Sequence, residues 1–313
     1  MSARIAVLAG GRSPEREVSL RSGHRVMTAL ASRSYDAFVL DPAEEAMVET
    51  LSAASVSACY VALHGKDGED GTVQRLLELL AIPYTGSAPH ACQITFDKVL
   101  AKETLEAAGV ATPEWAAVQA NALRDLSGGA ILSHIVERVG LPAVVKPNRA
   151  GSAMGLKFVD READLPAAVM GALSFGDAAL IERKVEGTEV AAAMVGSADE
   201  RLPLVEIVPK SGVFDYASRY TAGATEYYAP ARLSPEVASA CAAEATKAFR
   251  TLGLRDVSRA DIMVDREGRP FVVDVNISPG MTDTSLLPMA ASAAGISLSE
   301  LCARIVELAL ARG

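Results

Sequence analysis

The sequence predicts a mixed α/β (α+β) fold, and three observations carry the prediction. Over the first ninety residues, short apolar runs ending in Gly or His alternate with helical stretches, as in βαβ units around a largely parallel sheet. From about residue 97, apolar runs follow one another through short turns, which points to an α+β arrangement. Two arms of alternating polar and apolar residues flank the turn at Arg266–Arg269 and predict a half-buried hairpin. At 313 residues the chain is too long for one compact core, so two or three modules are expected.

Composition narrows the function. Half the residues are hydrophobic and 22% are charged, which excludes a disordered or collagen-like chain. A net charge of -9 argues against a nucleic-acid partner, which would need a basic stripe. No apolar run approaches the ~20 residues of a membrane span, and the start MSARIAVLAGG lacks a signal-peptide pattern. Cys59, Cys92, Cys241 and Cys302 are scattered without CxxC spacing and read as buried thiols in a reducing compartment. A cytoplasmic protein with no membrane partner is the expectation.

The first element is the strand-like run 5–9, closed by Gly10-Gly11 and followed by Ser13-Pro14-Glu15, where Ser suits an N-cap and Pro a first helical position. Runs at 59–63 and 82–85 predict the next strands, the former ending at His64. Ligands of parallel sheets sit beyond the carboxyl ends of the strands, which marks Glu15 and His64. A helix from about 97 to 108 opens a second part, with strands at 144–147, 156–159 and 180–183. The last third has strands at 190–195, 204–208, 260–264 and 271–275, and helices at about 235–252 and 298–311. The Ser-, Gly-, Tyr- and Thr-rich stretch 209–230 is the length of a functional lid. The resulting division is 1–95, 96–182 and 183–313.

Four constellations carry possible chemistry. If Asp265 faces Pro270, Asp261 lies opposite Asp274, with Asn276 on the same face. Facing carboxylates destabilise a sheet unless a hard divalent cation lies between them, or unless the register differs and both point to solvent. Lys146 at a strand end precedes a Gly/Ser loop that either folds over phosphates or is an ordinary turn. Glu182 and Glu189 either accept hydrogen bonds from a base and a ribose or form a solvated edge. His64 reads as structural or functional, and Glu15 as a ligand group or a helix-end charge.

Together, in order and spacing, these segments resemble the D-alanine–D-alanine ligase family of ATP-grasp enzymes over essentially the whole chain. The carriers include Ala9-Gly-Gly-Arg-Ser-Pro-Glu15, Ala62-Leu-His64-Gly, Gly68-Glu-Asp-Gly71, Asp97-Lys98, Lys146-Pro147, Gly151-Ser152, Arg259-Ala-Asp261 and Asn276-Ile-Ser-Pro-Gly280-Met. The resemblance implies an ATP-grasp fold with a Rossmann-like first domain, and joining of two D-alanines through an acyl phosphate. It implies ATP with two Mg²⁺ ions (Mn²⁺ as a substitute), small D-amino-acid partners and a homodimer.

By the same resemblance Lys98 and Lys146 contact phosphates, while Glu182, Arg183, Val185 and Glu189 contact adenine and ribose. Asp261, Asp274 and Asn276 hold the metals, and Arg259 and the Gly280 N–H stabilise an oxyanion. Glu15, linked to Ser152 and Tyr220, receives the first ammonium; His64 lies near its carboxylate, and Ser285 and Leu286 line the second pocket. Tyr220 accompanies an amine acceptor. Four positions depart from the family pattern: Asp274 for Glu, Arg219 for a phosphate-contacting Lys, and Ala150 and Ala153 for Glu and Ser. They leave open a paralogue joining or cyclising another D-amino acid, or a nucleotide-binding protein without turnover.

Overall fold

The computed structural model describes residues 2–197, 200–214, 218–219, 221 and 223–313. Its first sheet contains β1 (Arg4–Leu8), β2 (Asp36–Leu40) and β3 (Ala58–Val61), all parallel in the order β2-β1-β3. Helices α1 (Arg16–Ala31), α2 (Met47–Ala54) and α3 (Thr72–Leu79) provide the crossovers and cover. β1 and β3 are buried apolar runs, as parallel strands covered on both faces should be.

Two sequence expectations change here. The run at 82–85 is no strand; Tyr84 makes only a single parallel bridge to Cys59. The third strand is instead Asp36–Leu40, a short Asp-Ala-Phe-Val-Leu run of intermediate burial that Asp41-Pro42 closes. Likewise, α1 starts at Arg16 rather than at Pro14, because Ser13 turns inward: its Oγ donates to the His64 carbonyl at 2.7 Å. That bond ties the end of β1 to the end of β3.

After α4 (Pro89–Phe96) and α5 (Lys98–Ala107) comes an antiparallel four-stranded sheet in the order β4-β7-β5-β6. Its strands are β4 (Trp115–Gln119), β5 (Ala143–Pro147), β6 (Lys157–Val159) and β7 (Ala178–Arg183). Helices α6 (Ala120–Asp125), α7 (Gly128–Val139) and α8 (Leu165–Leu173) accompany it. β4 and these three helices were not expected from the apolar runs; α8, rich in Ala and apolar nearly all round, has little helical periodicity to announce it. Across this sheet Trp115, Glu182, Val144 and Phe158 pair in one row, which puts Glu182 among apolar neighbours.

The third sheet has β8 (Gly187–Gly196), β9 (Val205–Pro209), β10 (Thr225–Tyr228), β11 (Asp256–Asp265) and β12 (Pro270–Asn276) in the order β10-β9-β8-β11-β12. Helix α9 (Pro235–Thr251) packs on it, and α10 (Leu286–Ala293) and α11 (Leu298–Leu310) follow. Asp261 does face Asp274, though not for the expected reason. Val264, not Asp265, faces Pro270, and a bulge after Asp261 takes up the extra residue before the two acids meet.

The cores tie the sheets together. Ile5, Val26 and Tyr60 of the first sheet and α1 share one apolar cluster with Ala191 and Val205 of the third sheet and with Leu287 and Ile305 of α10 and α11. Ala101 and Leu105 of α5 pack with Val190, Ile262 and Ala245. Among the described residues no single helix is long and apolar enough to cross a membrane. The α10–α11 pair passes such a test only jointly, is bent by 106°, and buries Leu287 and Ile305 in the core.

Candidate active site

Parallel packing of β1 and β3 brings their carboxyl ends side by side, and this builds one end of a cavity of about 270 Å³. Glu15, at the start of α1, is 7% exposed and His64 is 6% exposed. Ser152 Oγ donates to Glu15 Oε1, while Oε2 is buried with no hydrogen-bond partner among the described residues. Gly65 and Gly151 make room for this carboxylate, since a Cβ on either would lie 2.4 or 2.6 Å from Oε2. Burial, with help from Glu69, pushes the Glu15 carboxyl above its ordinary range, although Ser152 and nearby cations oppose the shift. An orphaned buried carboxylate oxygen is costly, and a ligand ammonium would remove that cost.

His64 is held on both nitrogens. Its Nε2 lies 3.2 Å from Ser22 Oγ and its Nδ1 3.7 Å from Glu69 Oε1. Ser22 Oγ accepts from the Met281 N–H at 3.1 Å, and Arg25 binds the Met281 carbonyl and Asp283. Helix α1 therefore positions both Glu15 and the loop that carries Gly280.

The other end of the cavity lies between the second and third sheets. Asp97 caps α5 by accepting from the Leu100 N–H, and Asn148 Oδ1 accepts from the Val99 N–H, so the helix start is fixed to the 148–155 loop. Lys98 Nζ then donates to the Ala150 carbonyl at 2.8 Å and stands 4.0 Å from Asp274 Oδ1. The contact is to backbone, so Ala150 supports it as well as a longer side chain would.

Lys146 Nζ pairs with Glu182 Oε2 and donates to the Val273 carbonyl at 3.2 Å. Glu182 is 2% exposed, so a solvated edge is excluded. Burial alone would raise its carboxyl, but Lys102 and Lys146 together hold it below the ordinary range. Lys102, buried on α5 and ion-paired with Glu182 Oε1, was missed from the sequence. The available signal was its spacing of four from Lys98, which puts both ammonium groups on one helix face.

Arg259 forks Asp261 through Nε and a terminal nitrogen at 2.6 and 2.8 Å, as two residues one strand period apart can. Asp274 is half-buried; burial would raise its carboxyl, yet Lys98, Lys146, Arg219 and Arg259 hold it below the usual range. Asn276 Oδ1 accepts from the Ser278 N–H. Arg219 stacks over Phe214 at 4.3 Å and donates to its carbonyl, a planar contact that lysine could not make. Glu189 is pushed up to about 7 by burial and by Asp261, against the attraction of Arg219 and Arg259.

Every described residue singled out in the sequence lines this one cavity: Glu15, His64, Lys98, Lys146, Ser152, Glu182, Arg183, Val185, Glu189, Arg219, Arg259, Asp261, Asp274, Asn276, Gly280, Ser285 and Leu286. Tyr220 lies outside the described residues. Among those described, no three His, Cys, Asp or Glu side chains converge on a metal position. Asp261, Asp274 and Asn276 offer two carboxylates and an amide, an all-oxygen set that suits Mg²⁺ when phosphates complete its coordination.

Family models described as D-ala D-ala ligase C-terminus and D-ala D-ala ligase N-terminus match residues 104–307 and 43–87. The chain is 41% identical to a D-alanine–D-alanine ligase of Pelotomaculum thermopropionicum over 99% of its own length and 98% of that protein's. It is 42% identical to the enzyme of the same name from Desulforamulus reducens, over 99% of each. Among solved structures, the Bacillus anthracis D-alanine–D-alanine ligase complexed with ATP matches with TM-score 0.84 at 30% identity, over 99% of this chain and 98% of that one. The VanG D-Ala:D-Ser ligase of Enterococcus faecalis matches with TM-score 0.83 at 27% identity, over 98% and 99%.

Proposed function

The chain belongs to the D-alanine–D-alanine ligase family of ATP-grasp enzymes, and from that premise we propose that it joins two D-alanines at the expense of ATP, for peptidoglycan precursor synthesis. The observation that carries the reading is the charge arrangement of the cavity. An unpartnered buried carboxylate oxygen stands at one end and a group of cations at the other.

The first D-alanine places its ammonium against Glu15 Oε2, in the gap left by Gly65 and Gly151, with its carboxylate toward His64 and the middle of the cavity. The adenine lies beside the buried Glu182 and the strand leading to Val185, the ribose near Glu189, and the phosphates extend toward Lys98, Lys146 and Arg219. The first carboxylate attacks the γ-phosphorus and ADP leaves, giving an acyl phosphate. The amine of the second D-alanine, held near Ser285 and Leu286, attacks that carbonyl. Arg259 and the Gly280 N–H stabilise the resulting oxyanion, and inorganic phosphate leaves as the peptide bond forms. The lid carrying Arg219 keeps water from the acyl phosphate.

Asp261, Asp274 and Asn276 would hold two Mg²⁺ ions, which supply charge neutralisation at the phosphates. Asp261 meets Arg259 with both oxygens, so only its remaining lone pairs are available to a metal. Ion removal by chelator should abolish turnover, and Asp274→Asn should weaken Mg-ATP use sharply. The division at 1–95, 96–182 and 183–313, a cytoplasmic location and a homodimer complete the proposal. Light scattering tests the last.

The deciding experiment is phosphate release from Mg-ATP with a panel of D- and L-amino acids, products identified by mass. Turnover with D-alanine alone supports the reading. Turnover only with another amino acid, D-serine included, replaces the substrate but keeps the chemistry. No turnover with any amino acid leaves a nucleotide-binding protein.

A further inference from the structure

Glu182 is shared by two lysines, and the two are placed differently. Lys146 pairs with one carboxylate oxygen and lines the cavity; Lys102 pairs with the other and does not. The Lys102 residue is 4% exposed. Its ammonium also meets Thr112 Oγ1, and that hydroxyl donates to the Val272 carbonyl at 2.9 Å, two residues before Asp274. Thr112 belongs to the segment that joins α5 to β4 and runs along β12, where the Val272 N–H donates to the Ala111 carbonyl at 2.8 Å. Lys102 therefore spans the second and third sheets beneath the cavity floor.

We propose that Lys102 is a positioning residue: it is the permanent counter-ion of Glu182, so that Lys146 can leave that carboxylate for the nucleotide phosphates. The inference rests on the nucleotide placement proposed above. Two cations around one carboxylate leave a surplus positive charge, and only Lys146 can present it to the cavity. With Lys102 neutral, Glu182 and Lys146 become a closed one-to-one pair in a buried setting. Separating such a pair strands a buried charge, which is strongly unfavourable. Phosphate binding then has to compete with Glu182 for Lys146. Burial, reinforced by the neighbouring Lys146, holds the Lys102 ammonium below its ordinary range despite Glu182, while Glu182 and Asp274 hold Lys146 above its own against burial.

The test compares ADP with adenosine, which has the same base and sugar but no phosphate. In the full-length protein, Lys102→Met should weaken ADP binding at least about tenfold while adenosine binding stays within about twofold. Adding Glu182→Gln, whose amide oxygen still accepts from a base, should return ADP affinity toward wild type because no carboxylate at position 182 then holds Lys146. Lys102→Arg should stay close to wild type. A purely structural lysine would lower both affinities together, or leave the double variant no better than Lys102→Met, and either result overturns the proposal. If Lys102→Met does not fold, lysine side-chain NMR of the wild-type protein decides. The Lys146 ammonium signal should shift on adding ADP while that of Lys102 stays, and movement of both overturns the proposal. Failure of wild-type protein to bind ADP at all would instead sink the nucleotide placement.

Discussion

The two ends of the cavity are built from opposite shortages. At the α1 end, burial and then the neighbouring Glu69 raise the Glu15 carboxyl, and one carboxylate oxygen has no partner among the described residues. Between the second and third sheets, Lys98, Lys102, Lys146, Arg219 and Arg259 meet four acids, of which Glu182 and Asp274 are held below their ordinary range, Asp261 is paired with Arg259, and Glu189 is pushed up to about 7 by burial. One end lacks a cation and the other lacks anions. A protein of net charge -9 can thus gather positive charge without a basic surface, because the cations are concentrated around one end of a cavity.

That contrast can be broken one end at a time. The largest effect is expected for Glu15→Gln, which removes the ammonium's counter-charge. kcat/KM for D-alanine should fall by ~100-fold, about the cost of breaking one buried ion pair, with ADP affinity unchanged. Equal losses for both ligands would mean that the two ends are not separate. Lys146→Met should do the reverse, weakening ADP by about 30-fold and leaving D-alanine protection of the apoprotein in place, as thermal shift would read. Substitution at either end that disturbs the opposite ligand contradicts the division.

The sequence carried the polar half of this account better than the fold. Glu15, His64, Lys98, Lys146 and Asp274 stand at strand ends, helix starts or hairpin faces, where position constrains direction, and all reach one cavity. The Asp261–Asp274 pairing was legible although the turn register assumed for it was off by one, because the bulge after Asp261 restored it. Lys102 was not legible, since a buried lysine on an amphipathic helix looks like any surface lysine until its partners fold over it. β2, with its intermediate burial, and the small-residue helix α8 lack the sharp periodicity that local reading uses.

A smaller effect sharpens the positive end. The fold holds Glu189 protonated up to about 7, against an ordinary 4.5, so the stability it gains from the neutral form is complete below about 4.5 and lost as pH rises through 7. Glu189→Gln cannot ionise and should therefore stabilise the ligand-free protein relative to its parent at pH 8, by up to roughly 3 kcal/mol, and have little effect at pH 4.5. Thermal melts at the two pH values check this; an equal shift at both would remove burial of the charge as the cause. The smallest effect is spectroscopic. Trp115, the one tryptophan, lies opposite Glu182 on the sheet beneath the nucleotide end. Its fluorescence should change by tens of per cent or less with ADP and stay constant with D-alanine alone, because the latter binds at the far end.

In the proposed reaction a carboxylate placed by Glu15 and His64 is phosphorylated at the cationic end before the second amine attacks. Heavy-oxygen label in the carboxylate of the first D-alanine tests it directly, with phosphate and dipeptide analysed by mass after turnover with Mg-ATP. One labelled oxygen per peptide bond formed should appear in inorganic phosphate. Unlabelled phosphate alongside labelled dipeptide would contradict the account.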